Sequence, residues 1–293
     1  MEKAQVSKEQ YYTLSACVYG KSMILRDLHK RAQVGIEDVS HVKLFNAAMI
    51  DRFNSFHRES LDKQRTEFGE NGEQLLKMFF DVIEKLNYDK KIMLFLIPTI
   101  DGILFDSKSN LKIIVNLVLG LKNIEDNRIL TLFKNLLYQP KFDKIVYDSA
   151  SRILSMILGE LPHKFFATQQ SSHLMFLTKQ DTLNGRDKDS EDLKISPYGI
   201  QTCYAHLFKV QEMCREFLEM GGMKNLVLNL NKYSSDLGLM YYTMLNIWIL
   251  SFNEQSYKYF LDPEVRIGDL HHHLKQLADR HLLDDLCYPD HLP

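Results

Sequence analysis

Glycine and proline are scarce in this chain, 13 and 7 of 293 residues. Tight turns between strands draw on both, so an all-β architecture is disfavoured and a helical one favoured. The four cysteines, Cys17, Cys203, Cys214 and Cys287, lie far apart with no Cys-x-x-Cys pair. That spacing excludes a secreted disulfide framework and a thiolate zinc site. A basic excess is missing too: 36 Lys and Arg face 38 Asp and Glu, a net charge of −2, which argues against nucleic acid as a partner. Apolar runs such as Ile92–Ile97 and Ile113–Leu119 fall far short of the ~20 residues that span a bilayer. The opening Met-Glu-Lys-Ala-Gln has no signal core, so a cytosolic location is expected. Catalytic signatures are also lacking. The only Gly-Lys pair, Gly20-Lys21, has Ser15 where a phosphate-binding loop needs its first glycine, and neither HExxH nor GxSxG occurs.

What is present is helical periodicity. Hydrophobic residues make up 45% and charged residues 25%, the balance of a globular chain. Ser7-Lys8-Glu9-Gln10 has the form of a capping box before a helix running to about Ala32. Glu37-Asp38 opens a second, through Leu44, Phe45, Met49, Ile50, Phe53 and Phe56. From Gly72 the stripe Leu75, Leu76, Phe79, Val82, Ile83 and Leu86 follows the spacing of one helix face. Ile92–Phe105 predicts another helix, kinked or broken at Pro98, which lacks a backbone donor. Leu111–Leu119, Ile129–Leu137 and Ile145–Leu158 continue the pattern, and Phe165–Leu177 is an element of undecided type. After Pro197, Ile200, Cys203, Tyr204, Leu207, Phe208, Cys214, Phe217 and Leu218 line one face of a helix that Gly221-Gly222 ends. Met223–Leu230 is a short helix. Leu237–Phe252 is apolar nearly all round and must be covered on several sides. Ile267, Leu270, Leu274, Leu277, Ala278, His281 and Leu282 form the last stripe. The expectation is about a dozen helices and no strand.

One stretch departs from this pattern. Residues 179–194, KQDTLNGRDKDSEDLK, mix charges around only two leucines. Burial there would not offset the entropy of ordering, so a flexible charged loop is expected. The predicted organisation is therefore helical repeats over 1–178, the loop 179–194, further repeats of the same solenoid over 195–286, and an irregular tail 287–293.

Reactive constellations are weak. His271-His272-His273 point about 100° apart on a helix. Asp269 and His273 could approach on one face, with His281 two turns further on, short of a convincing metal ligand set, so no metal or cofactor is expected. Asp51, Glu59 and Asp62 are carboxylates at helical spacing without a nucleophile nearby. Cys203 and Cys214 sit on one stripe and read as buried and inert. Of the pairs Tyr11-Tyr12, Phe79-Phe80 and Tyr241-Tyr242, one member of each suits the core and the other a groove. No catalytic, cofactor or metal residue is assigned, and no partner-binding residue is singled out.

Short antiparallel helices in succession make a bundle or a solenoid. Two or three helices per roughly 40 residues is the armadillo/HEAT unit. Leu218–Val227 has the armadillo order of helix end, Gly-Gly and a short helix, followed by an apolar third helix. The fold class is all-α, an armadillo/HEAT-like helical-repeat solenoid.

The segment Tyr198–Leu230, YGIQTCYAHLFKVQEMCREFLEMGGMKNLVLNL, with Tyr241–Asn253, YYTMLNIWILSFN, resembles the H subunit of the vacuolar-type proton-translocating ATPase (V-ATPase). Ile247-Trp248-Ile249-Leu250-Ser251-Phe252 fits that family's aromatic-rich helix, and Trp248 is the only tryptophan. Ser151-Arg152-Ile153-Leu154 matches a family Ala-Arg-Ile-(Ile/Leu) centre, with Ser for Ala, and Arg31–Phe45 resembles the family's entry. The pieces keep the family order from about Leu25 to about His281. The resemblance implies a non-catalytic regulatory subunit of the V1 sector, on the cytosolic face of vacuolar membranes and other endomembranes. It implies contact with the E and G subunits of the peripheral stalk and with the cytosolic part of the membrane-embedded a-type subunit. The sequence runs out before the family's C-terminal domain, so silencing of released V1 is not carried over. A different armadillo/HEAT adaptor is the alternative, and a helical metal hydrolase a distant third.

Overall fold

The computed structural model describes residues 55–56, 59–85, 89–105, 107–120, 127–139, 142–186, 194–233 and 236–260. Among them are eleven α-helices and no strand. They are α1 Leu61–Lys85, α2 Lys90–Leu104, α3 Lys108–Gly120, α4 Arg128–Tyr138, α5 Lys144–Glu160 and α6 His163–Arg186. Next come α7 Pro197–Leu207, α8 Gln211–Glu219, α9 Gly222–Lys232, α10 Leu237–Ser251 and α11 Tyr257–Phe260. The helix expected near 7–32, that expected from 37 to 56 apart from residues 55–56, the histidine run and the stripe 267–282 lie outside the described residues, as do Cys17 and Cys287.

Four helices form an inner row, each packed on the next in the order α2, α5, α7, α10. The others cover them. α1 packs on α2 and α3, α4 on α5, and α6 on α5, α7, α8 and α9. The row is apolar because it is enclosed. Every residue of α5 from Ser149 to Leu158 is buried, as are Leu239, Met240, Tyr242, Leu245, Ile247 and Leu250 of α10. Each fully buried Leu or Ile contributes about 1.5–3 kcal/mol, so the row anchors the fold. The unit α8–α9–α10 has the armadillo order expected from its sequence. Gly221, between α8 and α9, takes the left-handed φ of 76° that glycine adopts without strain.

Local signals account for most boundaries. Asn127, Asp143, Ser196 and Asp236 cap α4, α5, α7 and α10 through their side chains, and Pro197 occupies the first turn of α7. α1 carries a non-helical residue at Asn71, just before the stripe that begins at Gly72.

Four expectations are corrected. The break expected at Pro98 is absent, and α2 runs through it as one helix; its neighbours bury Leu96, Ile97 and Ile100 completely, and that packing outweighs one lost hydrogen bond. The helix expected from Pro197 to Leu218 is two, α7 and α8, separated at Phe208–Val210. The break lets Phe208 stack on Tyr204 at 5.4 Å and meet Phe217 at 4.9 Å. The expected loop 179–194 is helical over its first eight residues, because α6 continues to Arg186. Its polar residues are satisfied inside: Gln180 Oε1 accepts from the backbone N–H groups of Lys194 and Ile195, and Asp181 accepts from Asn229. Phe79 and Phe80 are both buried, so neither faces a groove.

Candidate protein-docking trough

Each contact in the inner row carries buried polar groups as well as apolar ones. Between α2 and α5, Arg152 meets Asp101. Its Nε donates to both carboxylate oxygens at 3.1 and 3.0 Å, and Nη2 donates to Oδ2 at 2.6 Å. Between α5 and α7, Arg152 Nη1 donates to Thr202 Oγ1 at 3.2 Å. Asp148 accepts there from the Ser196 N–H and hydroxyl at 2.8 and 2.6 Å. Between α7 and α10, Asn246 Nδ2 donates to the Gln201 carbonyl and Oε1, both at 2.9 Å. Burial works against the Arg152 charge, but Asp101 overcomes it and holds the guanidinium protonated. Desolvation raises the pKa of Asp148, with the Ser196 donors opposing it.

Across this row lies a trough of about 390 Å³. Leu104 and Phe105 close it at the end of α2, and Ser107, Lys108, Ser109 and Leu111 bring in the start of α3. Met156 of α5, Thr202, Ala205 and His206 of α7, Lys209 beyond it and Tyr242 of α10 complete the lining. The α2–α3 corner is knitted firmly. Arg65 of α1 donates to the carbonyls of Gly102 and Phe105, which caps the α2 C-terminus. Asn110 Nδ2 donates to the carbonyls of Arg65 and Ile103. On the other side α5 and α7 touch closely: a Cβ on Gly159 would stand 2.3 Å from the His206 carbonyl oxygen.

Among the described residues, the charged side chains that line the trough are Lys108 and Lys209. Lys209 pairs with Glu160 at 2.8 Å. Burial lowers the pKa of His206, and the fields of Lys209 and Arg152 lower it further, so its imidazole is neutral. Tyr242 is 3% exposed, and its ring meets that of Tyr198 edge-on at 5.3 Å. Burial, with Tyr198 nearby, raises its pKa well above the ordinary value, so it stays a neutral donor.

The residues that the sequence alone marks are placed elsewhere. Glu59, just before α1, pairs with Lys63 at 2.9 Å, and Asp62 stands 3.9 Å from Arg65 on α1; Asp51 lies outside the described residues. Cys203 and Cys214 are buried on different helices, and burial pushes their thiols up to about 11 and 12. A Ser155–His173 pair at 2.8 Å has the contact of a nucleophile and base. Ser155 is fully buried, however, and desolvation pushes His173 down to about 4, so the pair braces α5 against α6. Among the described residues no group of three or more His, Cys, Asp or Glu is placed to hold a metal, and no helix is long and apolar enough to cross a membrane. The trough itself is not foreseen by the sequence reading. One signal was available: Arg152 stands alone in an apolar stripe and demands a buried carboxylate, which Asp101 supplies.

The described helices thus form an all-α array built on an inner row of four. A family model for the V-ATPase H subunit matches residues 29–280. The chain belongs to the V-ATPase H-subunit family. The N-terminal domain of that family is armadillo-like, in agreement with the α8–α9–α10 unit, and its members are non-catalytic parts of the V-ATPase complex. No curated protein and no solved structure matches the chain.

Proposed function

We propose that this protein is a non-catalytic regulatory scaffold of the V1 sector, supporting ATP-driven proton transport and organelle acidification from the cytosolic face of the membrane. The observation that carries this reading is the match to the V-ATPase H-subunit family over 29–280. The structure supports a bracing role by its stiffness. Polar and apolar contacts fasten α2, α5, α7 and α10 into one row, and this row joins residues on both sides of 179–194. On this reading the described helices before residue 179 and those after residue 194 are repeats of one solenoid. Its partners are the E and G subunits of the peripheral stalk and the cytosolic part of the membrane-embedded a-type subunit, and its own side chains perform no ATP chemistry.

The test uses the purified full chain. It should hydrolyse no ATP alone, and a purified E–G heterodimer should bind it in a pull-down. ATP turnover by the isolated chain, or no E–G binding, would overturn the proposal. Recovery of cargo unrelated to the pump would favour the general adaptor reading instead.

A further inference from the structure

Asp181 is an acid buried where three helices meet. It stands on α6 at 1% exposure and faces Tyr204 of α7 and Asn229 of α9. Asn229 Nδ2 donates to its Oδ1 at 2.7 Å, and the Tyr204 hydroxyl reaches its Oδ2 only at 3.5 Å. One close donor and one distant donor do not offset the desolvation of a full negative charge, so the site suits a neutral carboxyl. Burial accordingly raises its pKa to about 7, with Asn229 and Tyr204 opposing. Among the described residues no cation acts on it, and the charged groups of α5 and α8, Asp148, Arg152, Glu212 and Arg215, do not contribute. Burial and the Asp181 charge both raise the pKa of Tyr204 and of Tyr233 beyond α9, so both stay neutral. Beside Asp181, Thr182 Oγ1 accepts from Asn225 Nδ2 at 3.2 Å, so two adjacent residues of α6 are pinned to one face of α9.

We propose that Asp181 is a proton-operated latch between the end of α6 and α9, closed while its carboxyl is neutral and opening to admit water once the proton leaves. The sign follows from linkage. The opened form ionises at the ordinary carboxylate value of 3.8 and the closed form at about 7. Opening therefore becomes about tenfold easier per pH unit between about 4 and 7 and levels off above that. A proton lost near neutrality thus loosens one joint of the array while the Arg152–Asp101 pair of the inner row keeps its charges. The latch does not depend on which assembly the chain serves, so it stands or falls apart from the V1 assignment.

Native-state hydrogen exchange of the full chain in dilute urea, read by mass spectrometry and corrected for the intrinsic rate, tests this. Amides of 178–186 and 225–232 should open about tenfold more readily at pH 8 than at pH 6, with little further change at pH 9. They should open ahead of the amides of α2 and α5 and with a shallower urea dependence, because a local opening exposes little surface. Asp181→Asn keeps the side-chain shape and an acceptor for Asn229, and opening in this variant should not change between pH 6 and 8. Equal opening of the wild type at pH 6 and 8 would overturn the proposal. So would exchange of these amides only through the same global unfolding as α2, or wild-type pH dependence in Asp181→Asn. The first two results come from the wild type alone and do not require the variant to fold.

Discussion

Replacing Asp101 by Asn tests how the inner row is fixed. The substitution keeps the side-chain shape but removes the charge that faces Arg152. Asp101 and Arg152 side chains are 2% and 6% exposed, so water does not replace the lost partner. Arg152 would keep its hydrogen bond to Thr202 and one side-chain oxygen at position 101, but lose the second acceptor of the fork and the negative charge. Breaking one side of a buried pair costs about 3–5 kcal/mol, because the surviving charge is stranded. Domains are stable by about 5–15 kcal/mol, so the loss is a large share of the total. At about 2–4 °C per kcal/mol for a chain near this size, the melting temperature should fall by roughly 6–20 °C. Urea unfolding followed by circular dichroism measures the same loss isothermally. The combined variant Asp101→Leu with Arg152→Met removes both charges and should recover most of the stability. A loss below about 1 kcal/mol for Asp101→Asn, or a double variant as unstable as the single, would refute the view that a desolvated charge pair joins α2 to α5.

Asp181 predicts an unusual pH dependence. Burial raises its pKa to about 7 from 3.8, against the opposing hydrogen bonds from Asn229 and Tyr204. The unfolded chain ionises first, so the stabilisation is complete below about 4 and is lost as pH rises through 7. The change in urea-unfolding free energy is about 4 kcal/mol at 1.36 kcal/mol per unit. Asp181→Asn should remove this dependence and be more stable than the wild type at pH 8, which paired urea titrations at pH 5 and 8 would check. Two glycines should respond for different reasons. Gly159→Ala puts a Cβ 2.3 Å from a backbone oxygen and should cost about 1–3 kcal/mol by overpacking. Gly221→Ala meets no atom within 4 Å, so thermal melts should show only the cost of a positive φ, about 1 kcal/mol.

Helices whose faces separate apolar from polar were legible in advance. The α5 stripe from Ile145 to Leu158 and the α9–α10 pair fall where periodicity puts them. Errors arose where tertiary contacts, not local pattern, decide the outcome. Phe208 belongs to a periodic stripe, yet the chain turns at Phe208–Val210, and Phe208 packs on Tyr204 and Phe217 from the next helix. Gln180 and Asp181 resemble loop residues by composition, but their acceptors meet Lys194, Ile195 and Asn229, partners 14 to 48 positions away. The trough was less legible still. Lys108 and Tyr242 are 134 positions apart in sequence, and neither is unusual among its neighbours. Helical period shows which residues turn inward, but not which inward residues share a cavity.

The hydrogen-bonded row also bears on how the solenoid carries load. Greasy surfaces tolerate sliding, since one methyl group substitutes for another after a small displacement. The Arg152–Asp101 fork and the Asn246–Gln201 contact have no such substitutes: shifting a helix by one turn strands every donor together. Under tension or twist such a seam holds its curvature elastically and then gives way abruptly. This is the behaviour of a pinned joint, and it sets the solenoid apart from a bundle held by oily contacts alone.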